Sequence, residues 1–386
     1  MEYNHQYKLF QAYGVGMITK QELQRIALKK KKDLAFMEKD YALTWVLKAI
    51  YSNPILAETL VFKGGTCISK IYAENYRLSE DLDFSLYKNK ELSIELLVSE
   101  LEKSFEKVKT EGAPELSVKT YERLANQGYM SIKIKYLGPL AHAGEIKLEV
   151  SLKEFVIYAS EYLPLKDKTY QDIGEFKVHC YGINEVVAEK VRAILQRGKS
   201  RDYYDVWMLM TSKNFSRIVL MEPQKIINVV EKKCARNNLK FEPELMFEES
   251  RLNDAKKYWK DSLGRMTSEL PEFERVVKDL EEKFFEVYEL YLFSKDLDGE
   301  HLDNMNRSPS TQVLLFRAAR LLEKKLDSKK KSEVLNAISV LSEILKKKDY
   351  SWMILGLIGV FYELQGDRDK DIKEAASNFL KRYQKR

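Results

Sequence analysis

The chain is poor in cysteine, in proline and in long apolar runs. Its 386 residues hold three cysteines, Cys67, Cys180 and Cys234, and no C-x-x-C. An odd number at wide spacing excludes a disulfide framework and a structural zinc site, and fits a reducing cytoplasm. Cys67 reads as a small buried residue rather than a nucleophile. Only 8 prolines occur, and charged residues make up 32% beside 45% hydrophobic, which excludes a disordered chain and suits a helix-rich fold. The longest apolar run, Trp352 to Tyr362, has 11 residues, two of them glycine. That is too short to span a bilayer, so a core helix and no membrane are expected. The N-terminal MEYNHQYKLF is polar and carries no secretory signal. The absence of G-x-x-x-x-G-K-[ST] disfavours a P-loop NTPase.

The formal charge of +6 is uneven, with residues 311–386 holding 17 Lys/Arg against 10 Asp/Glu. That end suits an anionic partner such as RNA, or simply solvated lysine-rich helices.

The most informative stretch is Val61 to Leu86, VFKGGTCISKIYAENYRLSEDLDFSL. Gly64-Gly65-Thr66 opens a helix expected to run to Glu74. Two glycines permit close backbone approach, and amides at a helix start favour phosphate oxygens. Asp81 to Leu86 alternates polar and apolar, the pattern of a half-buried strand. Asp81, Asp83 and Ser85 share one face, and Leu82, Phe84 and Leu86 the other. Carboxylates about 6–7 Å apart repel by roughly 2–3 kcal/mol at an effective dielectric near 20. A hard cation such as Mg²⁺ would offset that. D-x-D alone also describes an ordinary solvent-facing strand end; its company, K-G-G-T before and R-L-S just upstream, favours a metal-dependent nucleotide site.

Elsewhere, Thr19 and Glu22 form a capping box before a helix, and Asp33 to Tyr51 forms a second, stopped by Asn53-Pro54. Lys29 to Lys32 reads as a solvated basic turn. Residues 92–110 form a helix with Leu96, Leu97, Leu101 and Phe105 inward. Met130 to Leu137 and Glu145 to Leu152 alternate as strands. If they join the sheet beside Asp81, Glu149 is either a third metal carboxylate or an ordinary exposed glutamate. Phe176 to Tyr181 is a short strand. Asn184 caps a helix to Arg197 that carries Lys190, and Ser200 caps another from Arg201 to Thr211 that carries Asp202 and Asp205. Lys190 and Asp205 meet across this helix–loop–helix either as part of a phosphate clamp or as a structural ion pair. Beyond Phe215 only helices are expected, at 223–237, 270–295, 312–326, 331–348, 350–365 and 369–384. The best linker is 296–310.

Taken together, F-K-G-G-T-x-x-x-K, R-L-S-E-D-L-D-F, A-E-K-V-R-A-I-L-x-R and R-D-Y-Y-D-V resemble the AbiEii/AbiGii-type nucleotidyltransferases. These are toxins of abortive-infection (antiviral defence) and type IV toxin–antitoxin systems, related to the MenT toxins. The match covers about residues 30–212. The resemblance implies an α/β (α+β) minimal nucleotidyltransferase fold: a mixed, twisted sheet flanked by helices in residues 1–212, then a helical domain in 213–386. It implies that Gly64, Gly65 and Thr66 hold the triphosphate of an NTP substrate, with Lys63 beside them. Asp81 and Asp83 would bind Mg²⁺. Ser79 matches a serine that is a phosphorylation point in some relatives. Lys190 matches the lysine that grips the phosphates, and Asp205 an essential aspartate that orients it or the acceptor. Arg77, Arg201 and Asp202 are supporting candidates. Glu149 departs from the expected aspartate. The implied reaction is nucleotidyl transfer to an acceptor hydroxyl, foremost the 3′ end of tRNA, which stops translation. A cognate antitoxin is the implied partner. Two other readings stand beside it: a protein or small-molecule acceptor, and a nucleotide-binding protein without catalysis.

Overall fold

A computed structural model describes residues 16–73, 76–124, 126–154, 156–158, 160–212, 223–295, 330–346 and 358–384. Local signals set most element starts. Helix α1, Lys20–Lys30, begins at the capping box, where the Thr19 side chain accepts from the Glu22 amide and Glu22 answers the Thr19 amide. Helix α2, Leu34–Tyr51, is capped by Asp33. Helix α3, Pro54–Thr59, is capped by Asn53, whose Oδ1 accepts from Ile55 and Leu56. Unlike an amphipathic surface helix, α2 is buried on nearly every side from Met37 to Ile50.

Seven strands follow in one mixed sheet: β1 Leu60–Lys63, β2 Asp81–Leu86, β3 Glu115–Leu124, β4 Tyr129–Leu137, β5 Ala143–Ser151, β6 Glu161–Pro164 and β7 Lys177–Cys180. Their order is β3-β4-β5-β2-β1-β7-β6. β3, β4 and β5 form an antiparallel meander; β5 runs parallel to β2, and β2 antiparallel to β1. The meander's register sets Ile132 beside Leu148 and Ile134 beside Ile146 on the apolar face. Leu82 and Phe84 extend that face into β2, with Phe84 tilted against Phe62 at 5.3 Å. Helix α2 packs on the sheet, touching β5 and β7, and shares this layer with Ile94–Lys109, the helix after β2.

Several expectations change. The helix expected from Thr66 to Glu74 is a short turn, Gly64–Cys67, that widens into a π-helical turn, Ile68–Tyr72; Glu74 and Asn75 lie outside the described residues. Leu96 points outward, 42% exposed, while Leu97, Leu101 and Phe105 are buried. The helix expected from Asn184 spans Ile183–Arg197 with Gly182 as its cap, so Asn184 lies inside it. Ser200 lies inside the following helix, Ser200–Thr211, and its hydroxyl donates to the Ala255 carbonyl at 2.7 Å. Strands β3 and β6 were not foreseen. β3 is exposed along most of its length and carries an irregularity between Val118 and Thr120, which hides the period-two signal. β6 is a short edge strand ending in proline.

The chain divides into two compact units, Met1–Leu209 with Val229–Lys278, and Met210–Asn228 with Asp279–Arg386. This differs from a boundary at 212, because 229–278 joins the sheet-bearing unit. Buried contacts account for the attachment: the Tyr203 hydroxyl donates to the Met246 carbonyl, and the Leu78 amide to the Met266 carbonyl. Within the second unit, Lys331–Lys346, Ile358–Leu364 and Lys370–Gln384 are helices, with Phe361 stacked on Phe379 at 3.8 Å. The expected linker at 296–310 and helix at 312–326 lie outside the described residues. Among the described residues, no helix is long and apolar enough to cross a membrane.

Phe84→Ala is expected to lower unfolding free energy by about 3–5 kcal/mol, through lost burial and a cavity at the sheet centre. Leu96→Ala should change it by no more than about 0.5 kcal/mol. Urea denaturation of the two variants checks both.

Candidate active site

The polar face of the sheet carries the site. Register sets Lys63 of β1 opposite Asp83 of β2, and Asp83 opposite Glu149 of β5. Asp81, two positions earlier, lies opposite Lys147. Among the described residues, neither Asp81 nor Asp83 has a hydrogen-bond or ion-pair partner on its carboxylate. Burial pushes both carboxyls above their ordinary range. Asp83 reaches about 6, with Asp81 and Glu149 adding like charge and Lys63 and Lys190 opposing it. An acidic pair without direct ion-pair partners is what a hard cation would stabilise. Glu149 is turned onto Lys147 at 2.7 Å. Among the described residues, no three His, Cys, Asp or Glu side chains converge as a metal cluster.

The glycine turn fits around these groups. Gly64 has φ +79°, and a Cβ there would lie 2.2 Å from Asp83 Oδ2. A Cβ on Gly65 would lie 2.8 Å from Arg77 Nη2 and 3.1 Å from Ser79 Oγ. Both glycines are therefore required by neighbours within the chain. Thr66 is buried, and its hydroxyl donates to the Asp81 carbonyl at 2.5 Å, fastening the turn to the Asp81 end of β2. Cys67 is buried, and burial pushes its thiol well up, so it is not a thiolate nucleophile.

Lys190 and Asp205 do meet, with Lys190 Nζ 2.9 Å from Asp205 Oδ2. Asp205 is fully buried and holds more than the lysine. Arg77 grips it with Nε and Nη2, each at 2.7 Å, and the Tyr76 hydroxyl donates to Oδ1. Burial works against its charge, but Arg77, Lys190 and Tyr76 hold its carboxyl well below the usual range. Asp205 is thus a positioning residue for Lys190 and for the segment bearing Arg77 and Ser79. Asp202 instead takes a bidentate pair from Arg197 at 2.8 Å and staples the two helices. Arg201 is half-buried and close enough to Asp81 to favour its charged form.

Lys63 was expected beside the glycine turn; its partner Glu189 and the roles of Lys233 and Lys32 were not foreseen. Lys63 is buried and paired with Glu189 at 3.0 Å; burial opposes its charge, but Glu189, Glu154 and Asp83 keep the ammonium above its ordinary range. Lys63 can therefore balance Asp83 without leaving Glu189. Lys233, from the 223–236 helix, joins Glu154 and Glu185 at 3.0 Å each. Lys32, expected in solvent, donates to the carbonyls of Tyr76 at 2.7 Å and Met266 at 2.8 Å, and burial pulls it to about 8. It anchors the Arg77 segment from below. Beside Asp83, a cleft of about 340 Å³ opens toward Tyr129, Ser151 and Asn237. That is within the range of small-ligand pockets.

Comparison with known proteins bears on this arrangement. Residues 45–286 match the family model described as nucleotidyl transferase AbiEii toxin, type IV TA system. No curated protein matches the chain. Among solved structures, MenT4, a nucleotidyltransferase toxin from Mycobacterium tuberculosis H37Rv, is similar at TM-score 0.50 and 18% identity. The similarity covers 84% of this chain and 99% of that one, and speaks for a shared fold.

Asp205→Asn leaves Arg77 and Lys190 buried with no counter-charge, and should cost about 3–5 kcal/mol of stability at neutral pH. A carboxyl held below its unfolded value contributes stability that is present above about pH 4 and lost as pH falls through the folded value. The difference between wild type and Asp205→Asn should therefore shrink below about pH 4, as followed by denaturation at several pH values.

Proposed function

The chain belongs to the AbiEii family of nucleotidyltransferase toxins of type IV toxin–antitoxin systems, and on that premise we propose that it transfers a nucleotide from an NTP to the 3′ end of tRNA and so blocks translation. The observation that carries the reading is the pair Asp81 and Asp83 on one face of β2, without direct hydrogen-bond or ion-pair partners among the described residues, with Lys190 beside them on Asp205.

The residues present fit Mg²⁺. Asp81 and Asp83 are hard oxygen donors with no partner among the described residues, and Glu149 is the neighbouring carboxylate on β5. When bound, the ion would supply charge stabilisation at the reacting phosphate. The chain's own part is positioning. The glycine turn at Gly64, Gly65 and Thr66 would receive the triphosphate through its backbone, with Lys190 as a point-charge clamp. Ser79 borders the same turn beside Gly65. Asp205 holds Lys190 in place, and Arg77 holds Asp205. The acceptor hydroxyl oxygen then bonds to the α-phosphorus, the bond to the bridging oxygen breaks, and pyrophosphate leaves. A cognate antitoxin is the protein partner that this family's systems imply.

Labelled nucleotide from one of the four NTPs should appear on tRNA in the presence of Mg²⁺. Asp81→Ala should reduce transfer about 100-fold or more. Expression should slow host growth, and Lys190→Ala should relieve it. Label on protein alone would overturn the tRNA acceptor; nucleotide binding without pyrophosphate release would overturn the reaction.

Because Asp83 takes up a proton near 6 in the metal-free protein, proton and Mg²⁺ compete for it. Mg²⁺ affinity, measured by calorimetry, should fall as pH drops below about 6 and level off above it.

A further inference from the structure

The cleft beside Asp83 has two chemically different ends. The end at the site is charged, walled by Lys63, Asp83 and Glu149. Around the hairpin turn the far end is lined by Gln127, Tyr129, Ser151 and Asn237, neutral groups able to donate and accept hydrogen bonds, and by Lys153 and Glu154, whose charged ends meet the Asn126 carbonyl and Arg192 with Lys233, respectively. A phosphate there would compete for the Lys153 ammonium, which already donates to the Asn126 carbonyl. A flat, uncharged ring system with donor and acceptor edges matches these amides and the aromatic ring better.

The far end is also held in shape. Gly128, between Gln127 and Tyr129, has φ +81°, and a Cβ there would lie 2.3 Å from Lys153 Cδ. The stem of Lys153 thus lies pressed along the hairpin turn, and its ammonium donates to the Asn126 carbonyl at 3.1 Å. The Leu152 amide donates to the Gly128 carbonyl at 2.8 Å, so the turn is tied to the end of β5. On the other wall, Asn237 follows the helix turn carrying Lys233, which Glu154 and Glu185 hold.

The internal hydrogen bonds leave complementary groups free. The Tyr129 hydroxyl donates to Gln127 Oε1 at 2.7 Å, and Asn237 Nδ2 donates to the Lys233 carbonyl at 2.8 Å. Among the described residues, the Gln127 amide N–H₂ and the Asn237 carbonyl oxygen have no partner. One donates and the other accepts, as reading a base edge requires.

We infer that this end of the cleft is a nucleoside-selecting subsite, in which Gln127 and Asn237 read a nucleobase whose phosphate lies at Asp83. The inference rests on the nucleotidyltransferase reading. The nucleobase belongs either to the incoming NTP or to the last nucleotide of the acceptor, and the two sources separate experimentally.

In one arm, kcat/KM is measured for each of the four NTPs with wild type, Gln127→Ala, Asn237→Ala and Gly128→Ala. In the other, the preferred NTP is held saturating and short RNAs ending in A, C, G or U serve as acceptors. The subsite predicts that the preference for the best substrate over the next falls about tenfold in one arm. A change confined to the first arm identifies the NTP base, and one confined to the second identifies the acceptor's terminal base. Circular dichroism checks that these rim variants fold. If wild type transfers nucleotide and every preference stays within about twofold in both arms, the subsite is overturned while the reaction stands. A wild type that transfers nothing overturns both.

Discussion

A single buried carboxylate holds the surround of the candidate site together. Asp205 has no solvent exposure, yet it is ionised, because Arg77, Tyr76 and Lys190 all converge on it. A charge taken out of water is tolerated only with near-complete compensation, so each partner must arrive in a defined place. Those partners come from two distant parts of the sequence: the R-L-S segment before β2 and the helix carrying Lys190. This one cluster therefore positions both Lys190 and the segment beside the glycine turn.

Around that hub, compensated and uncompensated charges are kept apart. Lys70 is neutralised by Asp40 at 2.7 Å and Asp167 at 3.1 Å, Lys63 by Glu189, and Lys233 by two glutamates. Lys70 is the last lysine of the F-K-G-G-T-x-x-x-K motif, and its position makes it a structural residue. Asp81 and Asp83 are the exception to the pattern: they share a face of β2 and lack partners among the described residues. Their burial and their mutual repulsion together raise the carboxyl of Asp83. Gly64 and Gly65 let this arrangement close, since side chains there would displace Asp83, Arg77 and Ser79.

Much of this was legible before the fold was seen. The alternation in Asp81 to Leu86 and in Met130 to Leu137 placed the right residues on each face, because strand geometry is local. The capping box at Thr19 was readable for the same reason, whereas Asn53, read as a stop, caps a further short helix. Strand β3 was not, because an exposed strand with an irregularity has no face to alternate. Lys32 was misjudged as solvated, because its carbonyl partners are 44 and 234 positions away. The glycines were read as room for a ligand; the contacts show they first make room for the chain's own side chains.

The amino-acid order alone determined which residue types were available, which of them shared a strand face, and which family's motifs they spell. Tertiary structure decided what each charge does. It made Asp205 a positioning residue, turned Asp202 into a staple, gave Lys63 to Glu189 and opened a cleft toward Gln127 and Asn237. The reason is that periodicity acts over a few residues, whereas the cost of burying a charge is settled by whichever partner the fold brings across the sheet.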